Sequence, residues 1–156
     1  VKKSQVSKSK AGTGSGSLYG LLTLRLYRLT LMSLSITNTT KGKLPRLPFA
    51  KMADAVLGNE YDCSLVIVSS KKSQELNREY RGKDNPTNIL SFPLDENEGE
   101  IFLDLKKARE DAVNFDSSYT NFIGFLFIHG LLHLKGHDHG TKMENAEKKV
   151  RAIFKI

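Results

Sequence analysis

The hydrophobic positions after residue 32 indicate two kinds of segment, short strands and amphipathic helices. Leu34 and Ile36 alternate with polar residues directly after Met32, and Cys63–Val68 is an almost continuous apolar run. Both patterns are typical of strands, the first half-buried and the second buried on both faces. Four strands are predicted, at residues 33–38, 63–68, 88–93 and 100–105. Pro93 is expected to end the third, because proline cannot donate a hydrogen bond within a sheet.

Apolar residues three or four positions apart predict five helices. These span residues 49–57, 74–80, 106–115, 121–134 and 142–154. Ser73 is expected to cap the second helix, and Ser117 or Thr120 the fourth, since a serine or threonine hydroxyl accepts a hydrogen bond from a free N–H of the first turn. Gly136 is expected to end the fourth helix. The expected inner face of the last helix consists of Met143, Ala146, Val150 and Ile153.

Length and composition fit one globular domain. The chain has 156 residues, of which 39% are hydrophobic and 26% charged. No stretch reaches the roughly 18 uninterrupted apolar residues that a membrane-spanning helix needs. Cys63 is the only cysteine, so an intrachain disulfide is excluded, and we expect it to be buried as a small hydrophobic residue. A single reduced cysteine is compatible with the cytoplasm, which is the expected location.

The positive charge of the chain is concentrated in its first third. The formal net charge is +7, but residues 1–53 contain ten Lys or Arg and no acidic residue, whereas residues 54–156 contain fourteen basic and seventeen acidic residues. Nucleic-acid binding by the second part must therefore depend on a local group of cations. Residues 1–31 are expected to be a disordered or non-native extension, such as a tag, a mis-set start or a targeting segment. The expected single domain comprises residues 32–156.

All four histidines lie within eleven residues, between His129 and His139. His129 and His133 are four positions apart on a predicted helix, so both imidazoles can reach one ion at the roughly 2.0–2.1 Å that zinc requires. Gly136 allows a turn that can bring His139 back as a third ligand. Three protein ligands leave one coordination place for water, which is the arrangement of catalytic zinc sites. The sequence therefore predicts a catalytic metal site.

Residues next to these histidines bear on the chemistry. The zinc-peptidase helix motif has a glutamate after its first histidine to activate water, and here that position is Gly130. A metallopeptidase therefore lacks its base. Asp138, the nearest carboxylate in sequence, can orient an imidazole or accept a proton, or it can cap the turn. His137 is expected to be exposed or to support a ligand, and is not counted as one.

Two segments resemble the YbeY-type rRNA maturation factors, a family of metal-dependent endoribonucleases. One is the histidine segment, His129-Gly-Leu-Leu-His-Leu-Lys-Gly-His-Asp-His139. The other begins at Leu76 and reads Leu-Asn-Arg-Glu-Tyr-Arg-Gly-Lys-Asp-Asn-Pro-Thr-Asn-Ile-Leu-Ser-Phe-Pro. The resemblance covers about residues 32–156. It departs at residues 98–100, where Glu-Gly-Glu stands in place of a longer segment with Leu-Gly-Asp, so we expect a trimmed loop there.

The resemblance implies an α+β fold in which a small mixed β-sheet packs against helices, with the helix of His129 and His133 at the centre. It also implies that the three histidines bind zinc, or another divalent metal such as nickel, and that Arg81 is the functional arginine of the cleft. A guanidinium can bind a phosphate through two hydrogen bonds. From the residues alone, a surface salt bridge of Arg81 with Glu79 or Asp84 is the simpler interpretation.

The implied function is single-strand-specific cleavage of RNA in rRNA maturation, at the 3′ end of 16S rRNA, and in ribosome quality control. Arg81, His133 and Asp138 are then the catalytic residues, and Lys83 and Lys135 are expected to contact the RNA backbone. The expected partners are rRNA and the ribosomal small subunit or its proteins. An alternative is a ribosome assembly factor without catalysis, whose ion only stabilises the fold, and a fourth protein ligand would favour it.

Overall fold

The computed structural model describes residues 34–116 and 118–156. The predicted extension, residues 1–31, and the start of the first strand lie outside these residues. Within them the elements follow one another as β1 Leu34–Asn38, α1 Phe49–Leu57, β2 Asp62–Ile67, α2 Ser70–Arg81, β3 Ile89–Asp95, β4 Glu98–Leu103, α3 Leu105–Asp111, α4 Tyr119–Leu134 and α5 Thr141–Phe154. A 3₁₀ turn, Ala112–Asn114, follows α3 directly. Each predicted strand and helix has a counterpart in the described part of the chain, but β4 ends at Leu103 and not at residue 105, and α3 ends at Asp111 and not at residue 115.

The described strands form one mixed sheet in the order β1-β2-β4-β3. β1 and β4 both lie parallel to β2, whereas β3 is antiparallel to β4. The β1–β2 connection contains α1, and the chain returns from β2 to the sheet through α2, as parallel neighbours require a crossover. The α+β class with a small mixed sheet is therefore confirmed.

One face of the sheet carries the core. Along β2 and β4 the buried residues alternate with partly exposed ones, as a strand covered on one face requires. The prediction that β2 is buried on both faces is therefore wrong. Leu65 and Ile101 on neighbouring strands are each 0% exposed. Cys63 is buried among them as expected, and burial raises the pKa of its thiol to about 12. The thiol is therefore protonated at neutral pH and takes no part in metal binding or nucleophilic chemistry.

Helix α4 crosses this face and is buried over most of its length. From Phe122 onward its side chains are buried except for those of Phe125, His129 and His133. These three residues are four positions apart, so they form a single stripe along the helix. The burial of the rest of α4 fixes the direction in which this stripe faces. Even this apolar helix is too short to cross a bilayer, and none of the other described helices qualifies.

Two predicted helix starts are wrong. α2 begins at Ser70, because the hydroxyl of Ser69 accepts a hydrogen bond from the Lys72 N–H and so caps the helix. Ser73 is buried inside α2, where its hydroxyl donates to the Thr87 carbonyl at 2.6 Å. α4 is capped by Ser118, and Thr120 lies within the helix. The other predicted cap, Ser117, lies outside the described residues.

Two further predictions, the end of β3 and the inner face of α5, are wrong. Pro93 does not end β3, which continues to Asp95 past a register shift. β3 is an edge strand of the described sheet, where a missing N–H breaks no ladder bond on the open side. On α5, Ile153 is 67% exposed. Phe154, four positions after Val150, takes the inner place instead and packs against the core.

Candidate metal centre

The imidazoles of His129, His133 and His139 meet at one point on the protein surface. The Nε2 atom of His133 lies 3.0 Å from Nε2 of His129 and 3.2 Å from Nε2 of His139. His129 and His133 come from adjacent turns of the partly exposed stripe on α4. His139 follows a sharp turn at Gly136, whose φ of +88° lies in the left-handed region that favours glycine. The sequence-based grouping of these side chains is thus present in the structure.

The outer hydrogen bonds of two of these rings determine where their lone pairs point. Nδ1 of His129 lies 2.6 Å from a carboxylate oxygen of Glu147, and Nδ1 of His133 lies 2.9 Å from the backbone carbonyl of His137. A carbonyl only accepts a hydrogen bond, and so does a carboxylate, so each Nδ1 carries the proton. In the neutral rings, each Nε2 then presents a lone pair toward the other. Two lone pairs 3.0 Å apart repel each other unless a cation lies between them.

The donor set fits a transition-metal ion. Zinc binds histidine nitrogen at about 2.0–2.1 Å, so tetrahedral ligands are about 3.3–3.4 Å apart, close to the observed spacings of 3.0 and 3.2 Å. Burial is the main cause that lowers the pKa of His133, and the repulsion that a charged His133 would meet from Arg81, and from His129 or His139 if they too were protonated, acts in the same direction. The bond to the His137 carbonyl opposes this. The neutral imidazole, which is the form that binds metals, is therefore favoured at this position.

The cluster is open on one side. Among the described residues, the group of potential ligand atoms within 4.8 Å of one another contains the three histidines and no cysteine or carboxylate. A surface cavity of about 430 Å³ lies beside it, lined by residues 135–142. His137 is not part of the cluster and contributes its carbonyl to His133. Three nitrogen ligands next to a cavity leave room for water or a substrate oxygen.

Glu147 on α5 has a role that the sequence interpretation gave to Asp138. Its carboxylate orients His129, and the side chains of His129 and Glu147 are 22% and 12% exposed. Asp138 is exposed and makes no hydrogen bond within the described structure, although it lines the cavity. The sequence places Glu147 next to the inner face of an amphipathic helix, and nothing else in the sequence points to a role for it at the metal centre. Its contact with His129 depends on how α5 packs on α4, which the sequence does not reveal.

Arg81 is the last residue of α2, and several side chains hold the loop that follows it. Gly82 has φ +67° and turns the chain away from the helix. The buried side chains of Ser73 and Asn77 bond to the backbone at Thr87 and Asn85. These bonds fix the loop against α2, and with it the direction in which the helix end projects.

The charge of Arg81 acts on the histidine cluster. It is among the contributions that lower the pKa of His133, after burial and the two other histidines. The salt bridge considered for Arg81 is absent from the described structure, because Asp84 pairs instead with Arg78 at 3.4 Å. The guanidinium of Arg81 is thus exposed and available to a ligand.

The two lysines predicted to contact RNA differ in the structure. The ammonium of Lys135 donates to the Val56 carbonyl at the end of α1, where helix carbonyls lack intrahelical partners. It therefore links α1 to the end of α4 and is not free to bind a phosphate. Lys83 is exposed in the loop after Arg81 and stays a predicted contact.

Gly130 faces the sheet and not the metal centre. An ideal Cβ there would lie 2.9 Å from Oγ of Ser91 and 3.0 and 3.1 Å from the terminal methyl groups of Ile89 and Ile101. Such distances leave no room for a side chain. The glutamate of the zinc-peptidase motif therefore has no place on this helix, which argues against the peptidase alternative.

Replacing this glycine tests the packing directly. Gly130→Glu is expected to lower the free energy of unfolding by about 3 kcal/mol or more, because overpacking costs roughly 1–3 kcal/mol and an unpaired buried carboxylate adds to that. Gly130→Ala should show a smaller loss. Urea unfolding of both variants measures the effect, and wild-type stability in Gly130→Glu would contradict the described packing.

Comparisons with known proteins identify the family of this chain. The family model for endoribonuclease YbeY matches residues 36–155. A Bacillus licheniformis protein named endoribonuclease YbeY is 36% identical over 138 residues, covering 73% of this chain and 86% of that protein. A protein of the same name from Carboxydothermus hydrogenoformans is 47% identical over 86 residues, covering 52% of this chain and 60% of that protein. The solution structure of TM1509 from Thermotoga maritima aligns with a TM-score of 0.55 and 30% identity over 75% of this chain and 85% of that chain. This chain belongs to the endoribonuclease YbeY family.

Proposed function

We propose that this protein hydrolyses RNA phosphodiester bonds at a single metal ion bound by His129, His133 and His139. Membership of the YbeY family supports a metal-dependent endoribonuclease that acts in rRNA processing. The observation that carries the assignment to these residues is the convergence of three Nε2 atoms, with protons held on the far side of two rings. Nitrogen lone pairs aimed at one point beside a cavity are suited to a catalytic ion.

Zinc is the proposed ion, because three neutral imidazoles and one open place are the ligand set of well-known catalytic zinc sites. Nickel would also fit the same nitrogen donors. When bound, the ion supplies a Lewis acid that activates water and polarises a phosphoryl oxygen.

The side chains around the cluster have separate proposed roles. Glu147 and the His137 carbonyl hold two imidazoles in the tautomer that presents Nε2 to the shared metal position. Arg81, which is exposed and whose charge acts on His133, binds the phosphate under attack and stabilises the negative charge that develops on it. Asp138, which is exposed on the cavity wall, is the proposed acceptor of the proton released from water.

The substrate proposed for this site is single-stranded rRNA, with the 3′ end of 16S rRNA as the segment cleaved. An open surface cavity lined by His139 and located beside the three-histidine cluster suits a phosphodiester in a flexible strand. The corresponding partner is the small ribosomal subunit in the cytoplasm, where the protein would also take part in quality control. A purely structural ion is less well supported, since the described residues supply no fourth ligand.

Elemental analysis combined with an RNA cleavage assay tests this function. The purified protein is expected to contain one transition-metal ion per chain and to cleave single-stranded RNA. Cleavage should stop after chelation and return when zinc is added back. Cleavage at an unchanged rate in metal-free protein would contradict the proposal.

Glu147→Ala is expected to weaken zinc binding by about 10-fold to 100-fold, because His129 loses the carboxylate that fixes its orientation. Competition with a zinc-binding dye measures the affinity. Glu144→Ala is the matched control, since Glu144 is exposed on the same helix three residues earlier. Equal zinc affinity in the two variants would show that Glu147 does not support the site.

A further inference from the structure

A second arginine lies beside the metal centre, along the line where α5 packs against α4. Glu147 on α5 contacts His129 on α4. One helical turn further along α5, Arg151 contacts Phe125, which precedes His129 by one turn on α4. The partly exposed stripe of α4 thus contacts a carboxylate at His129 and a guanidinium at Phe125.

Two aromatic rings hold the guanidinium of Arg151 in place. Its Cζ atom lies 5.3 Å from the ring centre of Phe115 and 5.5 Å from that of Phe125. The two rings are stacked, with centres 5.2 Å apart and an angle of 24° between their planes. Cation–π contacts of this kind stabilise the position of an arginine without using its hydrogen-bond donors.

Those donors have no acceptor in the described structure. Glu147, four positions earlier and a natural ion-pair partner for Arg151, is bonded to His129 instead. The Nε atom of Arg151 is buried and unpaired, the side chain as a whole is half-buried, and its Nη atoms make no hydrogen bond within the described structure. An arginine that is fixed in position and keeps free N–H groups is suited to bind a phosphate.

The position of Arg151 relative to the histidines matches an RNA backbone that passes through the site. The ring centres of Phe125 and His129 are 5.9 Å apart. Arg151 Cζ therefore lies no more than about 11.4 Å from the centre of the His129 ring, since it is 5.5 Å from that of Phe125. The charge of Arg81 acts on His133, whereas Arg151 contacts Phe125, one turn before His129 on α4.

We propose that Arg151, held over Phe115 and Phe125, forms a second phosphate-binding subsite for the RNA strand cleaved at the metal centre. This inference rests on the proposed function. The phosphate bound there is a neighbour of the scissile one, so Arg151 contributes to substrate affinity and Arg81 to the chemical step. Because residues 54–156 are net acidic, binding of a polyanion depends on such local cations.

Arg151→Met removes the charge and keeps an unbranched apolar side chain over the rings. Its affinity for a single-stranded 2′-O-methyl RNA oligonucleotide is expected to fall roughly tenfold, equivalent to about 1.4 kcal/mol for one charge-assisted contact. The slope of log affinity against log salt concentration should become shallower by about 0.7, the value for one phosphate contact on a single strand. Fluorescence anisotropy over a salt series, with zinc-loaded protein, measures both quantities.

Lys149→Met is the matched control. It removes one positive charge from an exposed position of the same helix, two residues before Arg151. Its salt slope and affinity are expected to stay close to those of the wild type. If Arg151→Met and Lys149→Met gave the same slope and affinity, the subsite would be refuted, whether or not the wild type cleaves RNA. Conversely, a wild type that binds through Arg151 but shows no metal-dependent cleavage would refute the proposed function alone.

A second measurement uses the unaltered protein, so that the proposal can still be tested if Arg151→Met is unstable. The Nε–H of each arginine side chain gives its own nitrogen–proton NMR signal, and Arg151→Lys identifies the one from Arg151. Titration with the same oligonucleotide is expected to shift this signal along with that of Arg81. A shift confined to Arg81 would refute the subsite.

Discussion

His133→Ala is expected to abolish both stoichiometric metal binding and chelator-sensitive RNA cleavage. His133 occupies the middle of the cluster, since its Nε2 lies 3.0 Å and 3.2 Å from those of the two other histidines. Its loss leaves one ligand on α4 and one on the following loop, which is too few to hold an ion in a three-ligand catalytic site. Elemental analysis of the purified variant and a single-stranded RNA cleavage assay measure the two effects.

His137→Ala is the control for this variant. It removes the one histidine that lies outside the cluster in the described structure, but it keeps the backbone carbonyl that accepts a hydrogen bond from His133. Metal content and cleavage are therefore expected to stay close to the wild-type values. Undiminished cleavage in His133→Ala would mean that the reaction takes place elsewhere.

Arg81→Ala is expected to slow RNA cleavage by about 10²-fold to 10³-fold without changing metal content. Mutations of single groups that stabilise charge in a transition state typically have effects of this size. Arg81→Lys should recover only part of the rate, because a lysine cannot make the paired hydrogen bonds of a guanidinium. Single-turnover cleavage rates, measured on zinc-loaded protein, separate this effect from weaker RNA binding.

Arg78→Ala provides the comparison for Arg81. Arg78 is an exposed arginine on the same helix, and its partner is Asp84. Exposed ion pairs contribute about 1 kcal/mol or less, so this variant should retain both its stability and its rate. Equal rates in the two variants would remove Arg81 from the chemical step and leave it as a general surface cation.

The parts of the site that depend on local spacing could be predicted from the sequence. His129 and His133 are neighbours on any helix, and Gly136 marks the turn that returns His139 to them. The same applies to the strands and helices, whose hydrophobic periods are local. The order of the strands in the sheet depends on non-local pairing, and only the resemblance to a known family suggested a mixed sheet.

Contacts between distant elements could not be predicted in this way. Glu147 supports His129 because α5 packs along α4, and Asp138 was chosen only because it is close in sequence. Ser73 resembled a helix cap, whereas its hydroxyl in fact holds the loop after Arg81. Arg151 gave no signal, because its significance depends on two aromatic rings far away in the sequence.

X-ray absorption spectroscopy of the zinc-loaded protein tests the central claim most directly, since it reports the number and type of atoms around the ion. The structure predicts three imidazole nitrogens at about 2.0–2.1 Å and at least one further light ligand from water. The same measurement on His133→Ala should show this shell lost. Four protein ligands around the ion in the wild type, or an unchanged shell in the variant, would contradict the account.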